Sequence, residues 1–269
     1  LGYGRSISSK ATLVAANLNR TDLRKNRRPD IGLVMHPGQF LEDLASSTSS
    51  GEGKWGPWFE TLGARESDRD EEIRQKATTA TPLIDPVNFF LQLEEEMDDD
   101  AVLVVDGGDF VATAAYVLRP RKPLCWLDPG VFGTLGVGGG FAVGASVCRP
   151  GQETWIIYGD GSCAYSLAEM DTCVRHGLAP IAVIGTDGSW GQIAREQGDM
   201  LGDLVGTELN RCDYHIAAEG YGARGLVLDD SSKIAETIAE AKAIAKSGTP
   251  VVLNVMISAS DFRKGSISM

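Results

Sequence analysis

The chain has 269 residues, 43% of them hydrophobic, with a formal net charge of −12, enough for one large core or one domain with part of another. The acidic balance excludes the basic face of a nucleic-acid binder, and no apolar run is long enough for a transmembrane segment. Five cysteines, an odd number with no C-x-x-C pair, exclude a disulfide framework or a zinc ribbon and point to a reducing intracellular compartment.

The sequence opens on Leu1 rather than Met, with no signal-peptide pattern behind it. The expectation is a chain whose true start, with any targeting signal or membrane anchor, is missing. Residues 12–16, Thr-Leu-Val-Ala-Ala, read as a buried strand. A helix is expected over 37–46, where Phe40, Leu41 and Leu44 share a face. The serine- and glycine-rich stretch 46–53 has the composition of a linker. Residues 57–78 are so highly charged that they read as an exposed helix. Residues 1–80 thus look like the end of one domain and a connector, the boundaries being set at 1–45 and 46–80.

A new domain is expected over 81–269. Asp85-Pro86 is a helix start, with Asp as N-cap and Pro at the first helical position. Val87, Phe90, Leu91 and Met97 mark its apolar face. Ala101–Val105 is an all-apolar run, the sign of a strand covered on both faces. The alternation then repeats: strand 155–158, helix 164–176, strand 181–184, helix 232–246 and strand 251–256. Strands alternating with helices predict βαβ units and a doubly wound parallel α/β sheet, which takes its ligands at the carboxyl ends of the strands.

The informative loops therefore follow residues 105, 158 and 184. The second is Gly159-Asp160-Gly161-Ser162 and the third Gly185-Thr186-Asp187-Gly188-Ser189-Trp190-Gly191. One strand–helix–strand crossover separates Asp160 from Asp187, which places them on neighbouring strand ends. Two hard carboxylates and a backbone carbonyl suit Mg²⁺, an ion that favours octahedral oxygen coordination and shares its shell with phosphate. The glycines admit the backbone, and the helix starting near Ser162 aims its amides at an anion. A lone Gly-Asp-Gly is a common turn; two acidic glycine-rich loops at matching strand ends carry more weight.

In these loops the sequence resembles the thiamine-diphosphate enzymes, whose signature is G-D-G-[SA] followed at a distance by an Asn-containing loop. Tyr158–Ser162 matches the first half, and Thr186–Trp190 sits where the second belongs. Within that group it is most similar to the acetolactate-synthase-like 2-hydroxyacyl-CoA lyases. The matching stretches include Val104–Ala115, Trp126–Gly130, Phe132–Gly138, Val174–His176, Gln192–Gln197 and Asp261–Ile267. The resemblance implies thiamine diphosphate and Mg²⁺ as cofactors, the metal being held by Asp160, Asp187 and the carbonyl of Ser189. It implies that Gly161, Ser162 and Cys163 hold the diphosphate, with Gly108, Asp109 and Phe110 lining its end from another strand tip. Leu135 would be the wedge that bends the cofactor, and the Gly133 carbonyl would accept a hydrogen bond from its 4′-amino group.

The implied reaction is cleavage of a 2-hydroxyacyl-CoA to an aldehyde and formyl-CoA. Acetolactate synthesis or 2-oxoacid decarboxylation is the alternative within enzymes, and a non-catalytic subunit that retains the domain is the alternative outside them. Asp187 departs from the wider group, where Asn is usual. Its extra charge beside a diphosphate implies steep dependence on the metal. The family's catalytic Glu lies in an N-terminal domain that has no counterpart here, and residues 1–45 resemble only the tail of the central domain. Family members are homo-oligomers, dimers or tetramers, with the cofactor between subunits, so a second subunit or a missing N-terminal segment is implied as partner.

Other features carry less. Gly136–Gly140 fails the G-x-G-x-x-G dinucleotide pattern at Phe141. His176 precedes Gly177 at a helix end and reads as a cap; His215, at a helix start, reads as a surface residue. Trp190 is equally compatible with shaping a site and with the core. Arg195-Glu196-Gln197 reads as a solvated face.

Overall fold

The all-apolar runs form the centre of a six-stranded parallel sheet. The structure, a computed structural model, describes residues 7–48, 55–77 and 81–264. Most of the expected linker, from Ser49 on, and Gly265–Ile267 of the last matching stretch lie outside the described residues. The chain divides into two units, Leu1–Arg65 and Glu66–Met269.

In the first unit β1 (Val14–Asn17) and β2 (Ile31–Val34) pair in parallel, followed by α1 (Pro37–Ser47). His36 caps α1, its Nδ1 accepting from the Gly38 amide at 3.1 Å. The strand expected at 12–16 begins two residues later and is not buried. A two-stranded sheet cannot cover itself, and Val14, Ile31 and Val34 stay exposed. α2 (Gly56–Ala77) matches the expected charged helix and carries the boundary between the units.

In the second unit α3 (Pro86–Glu96) opens as predicted, with the Asp85 carboxylate accepting from the Asn88 amide at 2.8 Å. Then come β3 (Val102–Val105), α4 (Asp109–Val117), β4 (Trp126–Leu127), α5 (Gly138–Cys148), β5 (Thr154–Gly159) and the single turn α6 (Asp160–Cys163). They are followed by α7 (Glu169–His176), β6 (Ile181–Thr186), α8 (Gly191–Leu201), α9 (Tyr214–Gly220), β7 (Arg224–Leu228), α10 (Ile234–Lys246) and β8 (Val251–Met256). The sheet order is β4-β3-β5-β6-β8-β7, parallel throughout.

Strand periodicity sorts the core into two layers. Trp155, Ile157, Val183 and Leu253 face α3, α4 and α10, in one cluster with Phe89, Phe90 and Phe110. Ile156, Tyr158, Ile184 and Val252 face the other way, in a cluster with residues of α5, α7 and α9. The chain leaves β3 for β4 on one side and returns to β5 on the other. The switch point of the sheet thus falls between β3 and β5, where a doubly wound sheet opens its crevice.

The helix expected over 164–176 is regular only from Glu169. Residues 164–168 form tight i→i+3 turns, such as Ser166 N–H to Cys163 O at 3.1 Å, and Ser166 Oγ is held by Tyr158 Oη at 2.9 Å. β4 and β7 are edge strands absent from the sequence reading. One has two residues, and the other carries Gly225 and an exposed Val227. Of the glycines of 136–140, Gly138 and Gly139 form the packed start of α5, against Tyr158 and Glu169.

Phe90 is fully buried, 4.4 Å between centroids from Phe110, the second residue of α4. Phe90→Ala is expected to destabilise the fold by about 3–5 kcal/mol, measured by urea unfolding. A loss below about 1 kcal/mol would mean that this aromatic cluster does not anchor α4.

Candidate functional site

Three loops at the carboxyl ends of β3, β5 and β6 converge on one cavity of about 550 Å³. Its walls include Asp106 to Phe110 after β3, Gly159 to Ser162 after β5, and Asp187, Ser189, Trp190 and Gly191 after β6. The segment carrying Gly133 and Leu135 closes another side. Of the residues that the resemblance assigns to the site, all but Cys163 line this space. Cys163 is fully buried behind it, and burial pushes its thiol pKa up.

The loops are tied to each other by backbone bonds. The Gly107 carbonyl accepts from the Gly159 amide at 3.2 Å and from Ser162 Oγ at 2.8 Å, so the serine hydroxyl is committed to the backbone. Asp160, 2% exposed, accepts at Oδ1 from its neighbour Gly161 N–H at 2.8 Å. Its Oδ2 accepts from Gly188 N–H at 2.7 Å and so reaches across to the β6 loop. Asp187 Oδ1 accepts from the Ser189 amide at 3.0 Å. The Ser189 region is braced by an antiparallel bridge to Glu208, whose bonds run from Trp190 N–H to Thr207 O and from Leu209 N–H to Gly188 O. That bridge leaves the Ser189 carbonyl out of its ladder.

Two acids share this corner, both raised by burial, and Asp187 also by the charge of Asp160. Burial raises the pKa of Asp160, opposed by its amide donors and by Arg211. Asp187 is pushed up to about 6, first by burial and then by the charge of Asp160. Arg211 stands behind the pair, its guanidinium donating to Thr186 O at 2.7 Å and Ile257 O at 3.1 Å. Among the described residues no group of three or more His, Cys, Asp or Glu side chains forms a metal cluster. Two carboxylates that repel each other at the mouth of a cavity instead fit a cation that completes its shell from a carbonyl, water and phosphate.

Two close contacts shape the walls. The Trp190 ring lies on Gly161, where an added Cβ would fall 2.5 Å from the indole. This resolves Trp190 in favour of the site. The Leu135 side chain lies on Gly107, where a Cβ would fall 2.2 Å from Cδ2. Gly133 ends an exposed 3-10 turn in the left-handed region, at φ +54.

Some of the site's residues escaped the sequence reading. Asp106, 4% exposed, accepts from Gly136 N–H at 2.9 Å and Gly138 N–H at 2.6 Å. Arg195 is not part of a solvated face. Its Nη2 lies 2.5 Å from Asp109 Oδ2, while Arg263 donates to Asp109 Oδ1 at 3.1 Å. The Asp109 carboxylate is thus occupied by two guanidiniums. A buried Asp ahead of two glycines signals Asp106; nothing local signals Arg195 and Arg263, which reach Asp109 from distant segments. His215 is half-buried, with Nδ1 3.3 Å from Asn254 Nδ2, rather than a surface residue.

Residues 106–255 match the family described as thiamine pyrophosphate enzyme, C-terminal TPP binding domain. The chain is 42% identical over 276 residues to 2-hydroxyacyl-CoA lyase 2 of Danio rerio, covering 100% of this chain and 44% of that protein. It is 31% identical over 258 residues to a probable acetolactate synthase of Mycobacterium bovis, covering 95% of this chain and 46% of the relative. The chain therefore spans less than half the length of these relatives. Among solved structures, the Rhodococcus jostii RHA1 thiamine diphosphate-dependent 4-hydroxybenzoylformate decarboxylase superposes with a TM-score of 0.75 at 19% identity, over 94% of this chain and 45% of its own; at that identity the likeness concerns the fold.

The folded pKa of Asp187 lies above its unfolded value, so the folded state holds the proton more tightly. Its contribution is most favourable below about pH 4 and is lost as pH rises through about 6. Without metal, Asp187→Asn is expected to gain about 1–2 kcal/mol of stability relative to the parent between pH 4.5 and 7, allowing for residual solvent exposure. Urea unfolding in EDTA at both pH values measures it; a difference between the two proteins that stays constant with pH would contradict the coupling of the two acids.

Proposed function

This chain belongs to the thiamine pyrophosphate enzymes, carrying their C-terminal cofactor-binding domain, and from that premise we propose that it grips thiamine diphosphate through Mg²⁺ as part of a carbon–carbon lyase acting on 2-hydroxyacyl-CoA. The observation that carries the metal grip is the pairing of Asp160 and Asp187 on adjacent strand ends, joined by the Gly188 amide. The lyase reading rests on 42% identity to 2-hydroxyacyl-CoA lyase 2 along the whole chain. The products would be an aldehyde and formyl-CoA.

Asp160, Asp187 and the Ser189 carbonyl would hold Mg²⁺. Ser162 and Cys163 would meet the diphosphate through backbone amides, since the Ser162 hydroxyl is committed and the Cys163 side chain is turned away from the cavity, while Gly161, whose amide is given to Asp160 Oδ1, would border it closely for want of a side chain. Gly108, Asp109 and Phe110 would border it from the start of α4. The Asp109 side chain is neutralised by Arg195 and Arg263 and so presents less negative charge to an anion. Leu135 would act as the wedge under the cofactor, and the Gly133 carbonyl would accept a hydrogen bond from its amino group.

Thiamine diphosphate, when bound, supplies an electron sink for the breaking carbon–carbon bond. The chain's own part is to orient and to exclude water: Trp190, Phe110 and Leu135 form apolar walls beside the paired acids. The acid that assists ionisation of the cofactor would come from a further segment or a second subunit of a homo-oligomer, and residues 1–45 would be the tail of a central domain. A second reading, acetolactate synthesis, draws on the 31% identity to a probable acetolactate synthase. Acetolactate formed from pyruvate, against aldehyde released from a 2-hydroxyacyl-CoA, separates the two.

Asp160→Ala is expected to weaken thiamine-diphosphate binding in Mg²⁺ by at least about thirtyfold, the scale of removing one buried charged partner, with an unchanged far-UV circular dichroism spectrum. If Asp160→Ala binds as tightly as the parent, the assignment of the grip is wrong.

A further inference from the structure

We infer that Asp106 is a positioning residue that sets where the Leu135 side chain enters the cavity; this rests on the proposed role of Leu135 beneath the cofactor. The segment from Gly133 to Gly139 has no regular structure of its own before α5 begins at Gly138. Its Gly133 and Leu135 line the cavity, and its shape is imposed from outside. Both oxygens of one buried carboxylate do most of this: Asp106 Oδ1 accepts from Gly136 N–H at 2.9 Å and Oδ2 from Gly138 N–H at 2.6 Å. The next amide, Gly139 N–H, donates to Ser166 Oγ at 3.2 Å, and Ser166 Oγ is in turn 2.9 Å from Tyr158 Oη.

Leu135 immediately precedes the first of these amides, and its side chain lands on Gly107, next in sequence to Asp106. The residue that receives the leucine and the residue that fixes its backbone are therefore neighbours at the end of β3. A rigid strand sets both.

The chemistry suits a fixed anchor rather than a reacting group. Hydrogen bonds from amides to a carboxylate are charge-assisted and short, and two of them from one turn define an orientation as well as a distance. With both oxygens so engaged, Asp106 is placed to hold the loop and not to exchange a proton with a substrate. A neutral amide in its place keeps one acceptor and turns an NH₂ group toward an amide that also donates. Asp106→Asn therefore separates the anchor from the volume of the side chain.

The test pairs hydrogen exchange with cofactor affinity. In Asp106→Asn the Gly136 and Gly138 amides are expected to exchange at least about tenfold faster, the scale of one lost hydrogen bond to a charged acceptor, while amides of β5 and β6 keep their protection. Titration of thiamine diphosphate with Mg²⁺ is then run on the parent, Asp106→Asn, Leu135→Ala and the double variant. If Asp106 acts through Leu135, the double variant binds about as weakly as the weaker single one. Unchanged exchange at Gly136 and Gly138, or additive losses of affinity, would overturn the inference. Should Asp106→Asn not fold, Asp106→Glu keeps the charge but cannot place both oxygens, and the same exchange pattern is expected; unchanged protection there would equally overturn it. A parent that binds no thiamine diphosphate defeats the proposed function, and the exchange measurement still decides whether Asp106 holds the loop.

Discussion

Two carboxylates that repel each other stand at the ends of adjacent parallel strands, and the surrounding fold is arranged to hold them there. Asp160 ends up buried because β5 is covered on both faces and its loop turns at once into α6. Asp187 is held beside it by the register of β5 on β6, in which Gly159 pairs with Gly185. Burial raises both pKa values, and the charge of Asp160 raises that of Asp187 further; Arg211 and the loop amides offset only part of this. A divalent cation would remove the remaining repulsion, and on that ground we propose the corner as a metal grip.

The rest of the unit follows from the same placement. The switch of chain direction between β3 and β5 opens a crevice where the Gly107 carbonyl ties one loop to the other. Aromatic packing of Phe110 with Phe89 and Phe90 fixes α4 below it. Across the crevice, Asp106 draws the Leu135 segment inward through two amides. Each wall is thus anchored to a strand end of the sheet, so the site inherits the rigidity of the core rather than that of its loops.

The central strands were legible because parallel strands covered on both faces are continuous apolar runs, and 251–256 was read to the residue. The Asp85 cap was legible for a local reason, the Asp-Pro pair. The edge strands were not, since β4 has only two residues and β7 mixes a glycine with exposed positions. The run 12–16 reads as buried because it resembles a central strand; its exposure depends on the number of neighbouring strands, which no single segment reveals. In the site, the glycine-flanked acids announced themselves, whereas Arg195 and Arg263 meet Asp109 only through tertiary folding. Asp106 lay inside a recognised stretch, but its two amide partners thirty residues on are visible only in the structure.

The most direct measurement is calorimetric titration of thiamine diphosphate into this chain, first with Mg²⁺ and then with excess EDTA. Binding that requires Mg²⁺ and disappears with EDTA is the predicted result, because the paired acids repel a diphosphate unless a cation lies between them. Binding of equal strength in EDTA would contradict the grip assigned to Asp160 and Asp187.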